Sequence, residues 1–131
     1  GSRVVPEQPS VAMLLWLHNG TQHPLTGMRV QTCVMLKGAI GFSDQSNHNK
    51  RLVSPFAAVH SEDGRRWIIT AWEPNHRTWA NPPVPCLHSD PILPDCAPGE
   101  TVRARGRVWF YEGDDIDGEL ERLRGSLEGE P

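Results

Sequence analysis

The chain has 131 residues, a formal net charge of −3 and 37% hydrophobic residues. That length fits one domain, and the hydrophobic share lies above that of disordered proteins. Nucleic-acid-binding proteins normally carry a strong basic excess, and the longest apolar run, residues 11–17, is too short to span a bilayer. Composition therefore argues against a nucleic-acid partner and against a membrane span.

The first half of the chain predicts strands separated by turns. Twelve prolines and twelve glycines disfavour long helices. Residues 11–18 form an apolar run that ends at Asn19, and they predict a buried strand. Residues 28–36 alternate between apolar and polar side chains and predict a second strand. Residues 37–51 are rich in turn formers and predict a loop.

The second half contains the clearest local signals. Residues 56–60 and 66–72 flank the turn sequence Ser-Glu-Asp-Gly and predict a β-hairpin. Residues 73–100 contain seven prolines and no regular periodicity, so they predict a long loop. Residues 101–111 alternate almost perfectly and predict a strand with arginines, Trp109 and Tyr111 on one face.

The end of the chain changes character. Residues 115–124 carry acidic side chains first and basic ones last, as a short helix prefers, and we expect residues 125–131 to be disordered. Five or six strands without a substantial helix imply two packed antiparallel sheets, in an immunoglobulin-like or jelly-roll sandwich. We expect this domain to span residues 3–113, followed by a short helix and flexible tail over 114–131, with residues 1–2 left from cloning.

The expected loop at residues 73–100 carries the chemistry-bearing side chains. Long loops without regular structure are often functional. Residues two apart in an extended chain point the same way, so Cys86, His88 and Asp90 would project from one side. Thiolate, imidazole and carboxylate groups bind zinc, copper or iron. His76 or Cys96 could complete a transition-metal site.

The same residues support other interpretations. A Cys86–Cys96 disulfide would stabilise the loop of an exported protein by roughly 2–3 kcal/mol. We favour this disulfide, or a plain structural role in which His88 and Asp90 are turn residues, over the metal site. His88 could instead activate Cys86 as a nucleophile. This dyad ranks lowest, because cysteine nucleophiles usually take their histidine from elsewhere in the fold.

Aromatic and arginine side chains point to a ligand. Tryptophan and tyrosine rings stack on sugars, and arginines bind carboxylates. Trp79 is the candidate for an exposed stacking platform in the loop, unless it packs the loop onto the sandwich. The arginines of the last strand could equally be solvated. The candidate ligand-binding residues are Trp79, His88, Arg77, Trp109 and Tyr111.

The sequence favours a non-catalytic, ligand-binding or accessory module of an extracellular or periplasmic protein, with a polysaccharide as the ligand. This preference rests partly on fold-level analogy, and fold does not determine function. One alternative is a small metalloprotein, an oxidase or hydrolase, with His88, His76, Asp90 and Cys86 as ligands. A third is a structural interaction domain of a larger protein.

Overall fold

Two antiparallel sheets pack face to face in the computed structural model, which describes residues 1–44 and 46–127. The predicted all-β sandwich with a short C-terminal helix is therefore confirmed. The strands are β1 (Ser2–Glu7), β2 (Ser10–His18), β3 (Val34–Met35), β4 (Lys50–Val53), β5 (Phe56–His60), β6 (Arg66–Glu73), β7 (Asn75–Ala80), β8 (Cys86–Pro91) and β9 (Thr101–Glu112), and helix α1 covers Ile116–Leu123. The larger sheet has the order β1-β2-β9-β6-β5-β4 and the smaller one β3-β8-β7.

The elements with the strongest sequence patterns form as predicted. Strand β2 pairs along its whole length with residues 101–109 of β9 in the larger sheet. Strands β5 and β6 form the predicted hairpin, and its turn needs Gly64, whose φ of 71° disfavours side chains with a Cβ. Asp115 caps α1 by accepting a hydrogen bond from the Gly118 amide at 3.0 Å. No helix in the described part of the chain is long and apolar enough to cross a membrane.

The loop predicted at residues 73–100 is wrong over much of its length. Strands β7 and β8 pair there as an antiparallel hairpin. The prolines misled the prediction because they lie mainly between these strands or at their ends, where a missing amide costs no ladder hydrogen bond. Pro91, for example, is the last residue of β8.

The strand predicted at residues 28–36 is largely wrong as well. Only β3 pairs regularly, with β8, while Arg29 makes an isolated bridge to Ile92. The amide of Thr32 donates to the Asp90 side chain at 2.9 Å instead of to a main-chain carbonyl, so the ladder does not continue through residue 32. Strand β4 lies at the end of the loop predicted for residues 37–51, and β1 begins at Ser2.

Both faces of the larger sheet are covered over part of their area. On one face, Leu87 of β8 packs against a cluster that includes Ala57 and Val59 of β5, which joins the two sheets. On the other face, α1 covers Trp109. The buried residues of this second cluster are Phe56, Ala58, Trp67, Ile69, Ala71, Trp109, Leu120, Leu123 and Leu127.

The described part of the expected flexible tail packs onto the sandwich. A short 3-10 helix, Arg124–Ser126, follows α1. Leu127, one residue later, is buried in the cluster around Trp109. The tail therefore completes the core through residue 127, and residues 128–131 lie outside the described part of the chain.

Candidate functional site

The alternating side chains of β8 face two different environments. Leu87 points into the core between the sheets. Ser89 Oγ donates to the Pro55 carbonyl at 2.7 Å and accepts from the Trp72 amide at 2.9 Å. Because side chains alternate along a strand, Cys86, His88 and Asp90 project together from the opposite face, as their spacing predicts.

This second face is enclosed by chain on both sides. Strand β7 places Trp79 opposite His88 and Arg77 opposite Asp90, while the segment before β3 lies along the other edge of β8. His88 is 3% exposed and Asp90 1% exposed. The side chains of His88 and Asp90 therefore lie in the interior of the protein.

Asp90 is held by hydrogen bonds from three directions. Its Oδ2 accepts from Arg77 Nε at 2.7 Å and from Trp79 Nε1 at 2.8 Å. Its Oδ1 accepts from the Thr32 amide at 2.9 Å. Burial by itself raises the pKa of Asp90, but these hydrogen bonds and the Arg77 charge outweigh it and hold the pKa below its usual range. Asp90 is thus an ionised carboxylate that ties three parts of the chain together.

Trp79 lies between two other side chains. Its ring is parallel to that of His88, with the centroids 3.9 Å apart and 9° between the planes. The Arg77 guanidinium lies 4.8 Å from the Trp79 ring centroid and contributes a cation–π contact. These neighbours, together with the hydrogen bond to Asp90, make Trp79 part of the enclosure around His88.

The two ring nitrogens of His88 have different partners. Nδ1 lies 2.5 Å from the Thr32 carbonyl oxygen, and since a carbonyl can only accept, Nδ1 carries a hydrogen. In the neutral ring Nε2 is then an acceptor, and it lies 3.0 Å from Cys86 Sγ. The main chain at Thr32 therefore fixes the tautomer that presents a lone pair to the thiol.

Cys33 completes a group of three metal-binding side chains. The ligand atoms of Cys33, Cys86 and His88 lie within 4.8 Å of one another. Cys33 is exposed, whereas Cys86 is 2% exposed. The pKa of Cys33 is raised, mainly because its thiol is partly removed from solvent. The neighbouring Cys86 thiol and the Asp90 carboxylate raise it further, in that order of size. Sequence reasoning missed Cys33, whose position opposite His88 follows from the register of β3 on β8.

The predicted ligand set is only partly brought together. His76 is exposed and is not part of the Cys33–Cys86–His88 group. Asp90 Oδ1 lies 3.9 Å from His88 Nδ1, on the side of the ring that faces away from the thiols. Of the four predicted ligands, Cys86 and His88 lie in the group.

The predicted disulfide between Cys86 and Cys96 is wrong. All three cysteines are free. Cys86 begins β8, a six-residue strand that advances about 3.3 Å per residue, so the chain carries Cys96 away from it. Cys96 instead pairs through its main chain with Leu25 and donates from Sγ to the Glu100 carbonyl at 3.4 Å.

Trp109 and Tyr111 of β9 lie on the face of the larger sheet opposite to the one that packs against β8. Trp109 is buried under α1, and Tyr111 packs against the same cluster. The two faces of β9 alternate as predicted, but Phe110, on the face expected to be buried, is 56% exposed. The smaller sheet therefore leaves this end of β9 uncovered, and the helix covers the opposite face.

No protein-family model, curated protein or solved structure matches the chain. The function is therefore inferred from the chemistry of the site itself.

Proposed function

We propose that the protein binds a transition-metal ion through Cys33, Cys86 and His88, with zinc as the favoured ion. The observation that carries the proposal is the hydrogen bond from His88 Nδ1 to the Thr32 carbonyl, which leaves Nε2 as an acceptor beside the Cys86 thiol. Histidine ligands in metalloproteins commonly donate their other ring N–H to such a carbonyl.

The donor set suits a soft or borderline metal. Two thiolates and one imidazole are ligands for zinc and copper, whereas calcium and magnesium prefer oxygen. Around a tetrahedral zinc ion, sulfur and nitrogen ligand atoms lie roughly 3.5 Å apart. The 3.0 Å separation of Cys86 Sγ and His88 Nε2 needs an opening of about half an ångström to reach that value.

The surroundings of the three ligands favour a preorganised site. Trp79 stacks on His88. Asp90 accepts a hydrogen bond from the Thr32 amide, and the carbonyl of the same residue orients the His88 imidazole. Such outer partners commonly contribute 10- to 100-fold to metal affinity. Exposure of Cys33 gives an ion a route to the site, while the buried Cys86 and His88 exclude competing solvent.

Metal binding has better support than the polysaccharide binding favoured by the sequence. Trp79 is packed against His88 and Arg77, and Trp109 is buried. Neither of these predicted platforms offers an open ring face for a sugar. Three protein ligands would leave one position of a tetrahedral zinc ion for water, an arrangement common to zinc enzymes. Because the predicted sugar platforms are covered and a metal-binding group is present, the metalloprotein alternative is the preferred one.

The test is metal content together with cobalt substitution. Protein purified without chelators and reconstituted with zinc should hold about one equivalent per chain by elemental analysis. Cobalt in place of zinc should give visible ligand-field bands and a near-ultraviolet thiolate charge-transfer band. Cys33→Ser should weaken that band and lower the affinity, because it removes one of two thiolates.

Cys96→Ser is the matched control, since Cys96 is a buried, free cysteine outside the group. His76→Gln tests the ligand predicted from sequence and should leave binding unchanged. Wild-type protein that takes up neither zinc nor cobalt, or uptake that is indifferent to Cys33→Ser, would overturn the proposal.

A further inference from the structure

A separate cavity lies next to the His88 site, at the end of β8 that carries Asp90. It has a volume of about 300 Å³. Its lining residues are Arg29, Val30, Gln31, His76, Arg77 and Asp90. Asp90 forms its boundary with the His88 layer, so this cavity does not include Cys33, Cys86 or His88.

The cavity has an excess of hydrogen-bond donors. Asp90 is its one carboxylate, and both oxygens of that carboxylate already accept hydrogen bonds. Within residues 1–44 and 46–127, the side chains of Arg29 and His76 have no hydrogen-bond or ion-pair partner. Two guanidinium groups and an imidazole therefore share the space with a single carboxylate whose charge is already engaged.

The two arginines are placed by the fold. Arg77 Nε is bound to Asp90 Oδ2 at 2.7 Å, and the guanidinium lies over Trp79. Its two Nη groups have no hydrogen-bond partner in the described residues. Arg29 is positioned by its main-chain bridge to Ile92, next to the end of β8. An incoming group would thus meet one guanidinium, that of Arg77, that is already oriented, which lowers the entropic cost of binding.

We propose that this cavity binds a tetrahedral oxyanion, a phosphate or sulfate group carried on a small molecule, through Arg29, Arg77 and His76. Guanidinium forks match such groups by forming paired, charge-assisted hydrogen bonds. A volume of about 300 Å³ exceeds that of the anion alone and leaves room for part of its carrier. The cavity and the metal site share no ligand, and Asp90 lies between them.

Calorimetric titration with inorganic phosphate and, separately, inorganic sulfate tests the proposal, with amide chemical shifts locating the site. Binding should weaken as salt is added and should shift the amides of Arg29, His76 and Arg77. Arg29→Gln should weaken binding by tenfold or more, since hydrogen bonds to charged groups contribute about 1.5–3 kcal/mol. Because Arg29 is exposed, the variant should fold normally, which its circular dichroism checks.

Arg65→Gln is the control, since Arg65 is an exposed arginine in the β5–β6 turn, outside the cavity. It should bind phosphate and sulfate as the wild type does. Arg77→Lys keeps the charge but loses the fork, and it should weaken binding less than Arg29→Gln does. Equal losses in the Arg29 and Arg65 variants would mean diffuse attraction by surface charge and would overturn the proposal, as would wild-type protein that binds neither anion. A tetrahedral-anion site is supported only if phosphate or sulfate binds more tightly than acetate.

Discussion

The rings of Trp79 and His88 are stacked in parallel, with 3.9 Å between their centroids, while the indole N–H of Trp79 donates to Asp90 at 2.8 Å. One side chain therefore shields the imidazole and also satisfies the buried carboxylate next to it. Two substitutions separate these roles.

Trp79→Phe keeps an aromatic ring over His88 but removes the hydrogen bond to Asp90. We expect it to lower the free energy of unfolding by about 1–2 kcal/mol. Trp79→Ala removes both contacts and should cost about 2–4 kcal/mol, since the half-buried ring leaves a partial cavity. Urea unfolding of the two variants measures the difference. Equal losses would mean that stacking on His88 adds nothing to stability.

Asp90 should make stability depend on pH in the acidic range. Its pKa is lower in the folded protein than its ordinary value, so the unfolded chain binds a proton more readily than the folded one. The contribution of Asp90 is therefore fully present above the unfolded pKa of about 4 and is lost as pH falls through the lower folded value. Asp90→Asn should be less stable at neutral pH and should lose less stability on acidification.

Denaturant titrations over a series of pH values test this expectation. Asp63→Asn is the comparison, because the pKa of Asp63 is also lowered, by hydrogen bonds from Ser61 Oγ and the Arg65 amide, but Asp63 is exposed. It should change the acid dependence less than Asp90→Asn does. A wild-type acid profile retained in the Asp90→Asn variant would contradict the assignment.

Metal should stabilise the folded protein if the ligand atoms come together only on folding. Free zinc at 100 times its dissociation constant would raise the free energy of unfolding by about 2.7 kcal/mol. Chelation should reverse the gain. In Cys33→Ser the gain should shrink, while in Cys96→Ser it should persist. Thermal unfolding with and without zinc measures this, and an equal zinc effect in both variants would argue for adventitious binding.

The thiols should differ in their rates of alkylation. Cys33 is exposed, while Cys86 and Cys96 are buried, so iodoacetamide should label Cys33 first in the native protein. All three should react in denaturant without reductant, because none forms a disulfide. Peptide mass spectrometry assigns the labels. If only Cys33 reacted under denaturing conditions, the result would instead support a disulfide between Cys86 and Cys96.

The sequence predicts best those elements that carry a clear local pattern, which is a continuous apolar run, an alternation of side chains or a turn sequence between two strands. Strands β2 and β9 and the β5–β6 hairpin have this property, and each forms where it is predicted. The sequence predicts a loop where β7 and β8 lie, because residues 73–100 lack regular periodicity and contain seven prolines. In the fold, the prolines of this hairpin fall where the backbone needs no donor.

The site could be predicted only in part, because some of its residues come together through local geometry and others through the tertiary fold. The alternation of Cys86, His88 and Asp90 depends on local geometry, which the sequence contains. The arrival of Cys33 depends on the pairing of β3 with β8, which needs the tertiary fold. Asp90 has the chemistry of a metal ligand, but its neighbours Arg77 and Trp79 engage it first, and no local pattern reveals that competition.

The two-sided burial of β8 has a consequence for motion. Its amides should be among the slowest in the protein to exchange with deuterium, because releasing them requires separating Leu87 and Ser89 from the larger sheet. The segment that carries Thr32 and Cys33 is joined mainly by isolated bridges and side-chain bonds, so it can open at lower cost. The site therefore lies between a rigid strand, β8, and a segment that opens more easily. A ligand would enter or leave the site at the rate at which the segment around Cys33 opens.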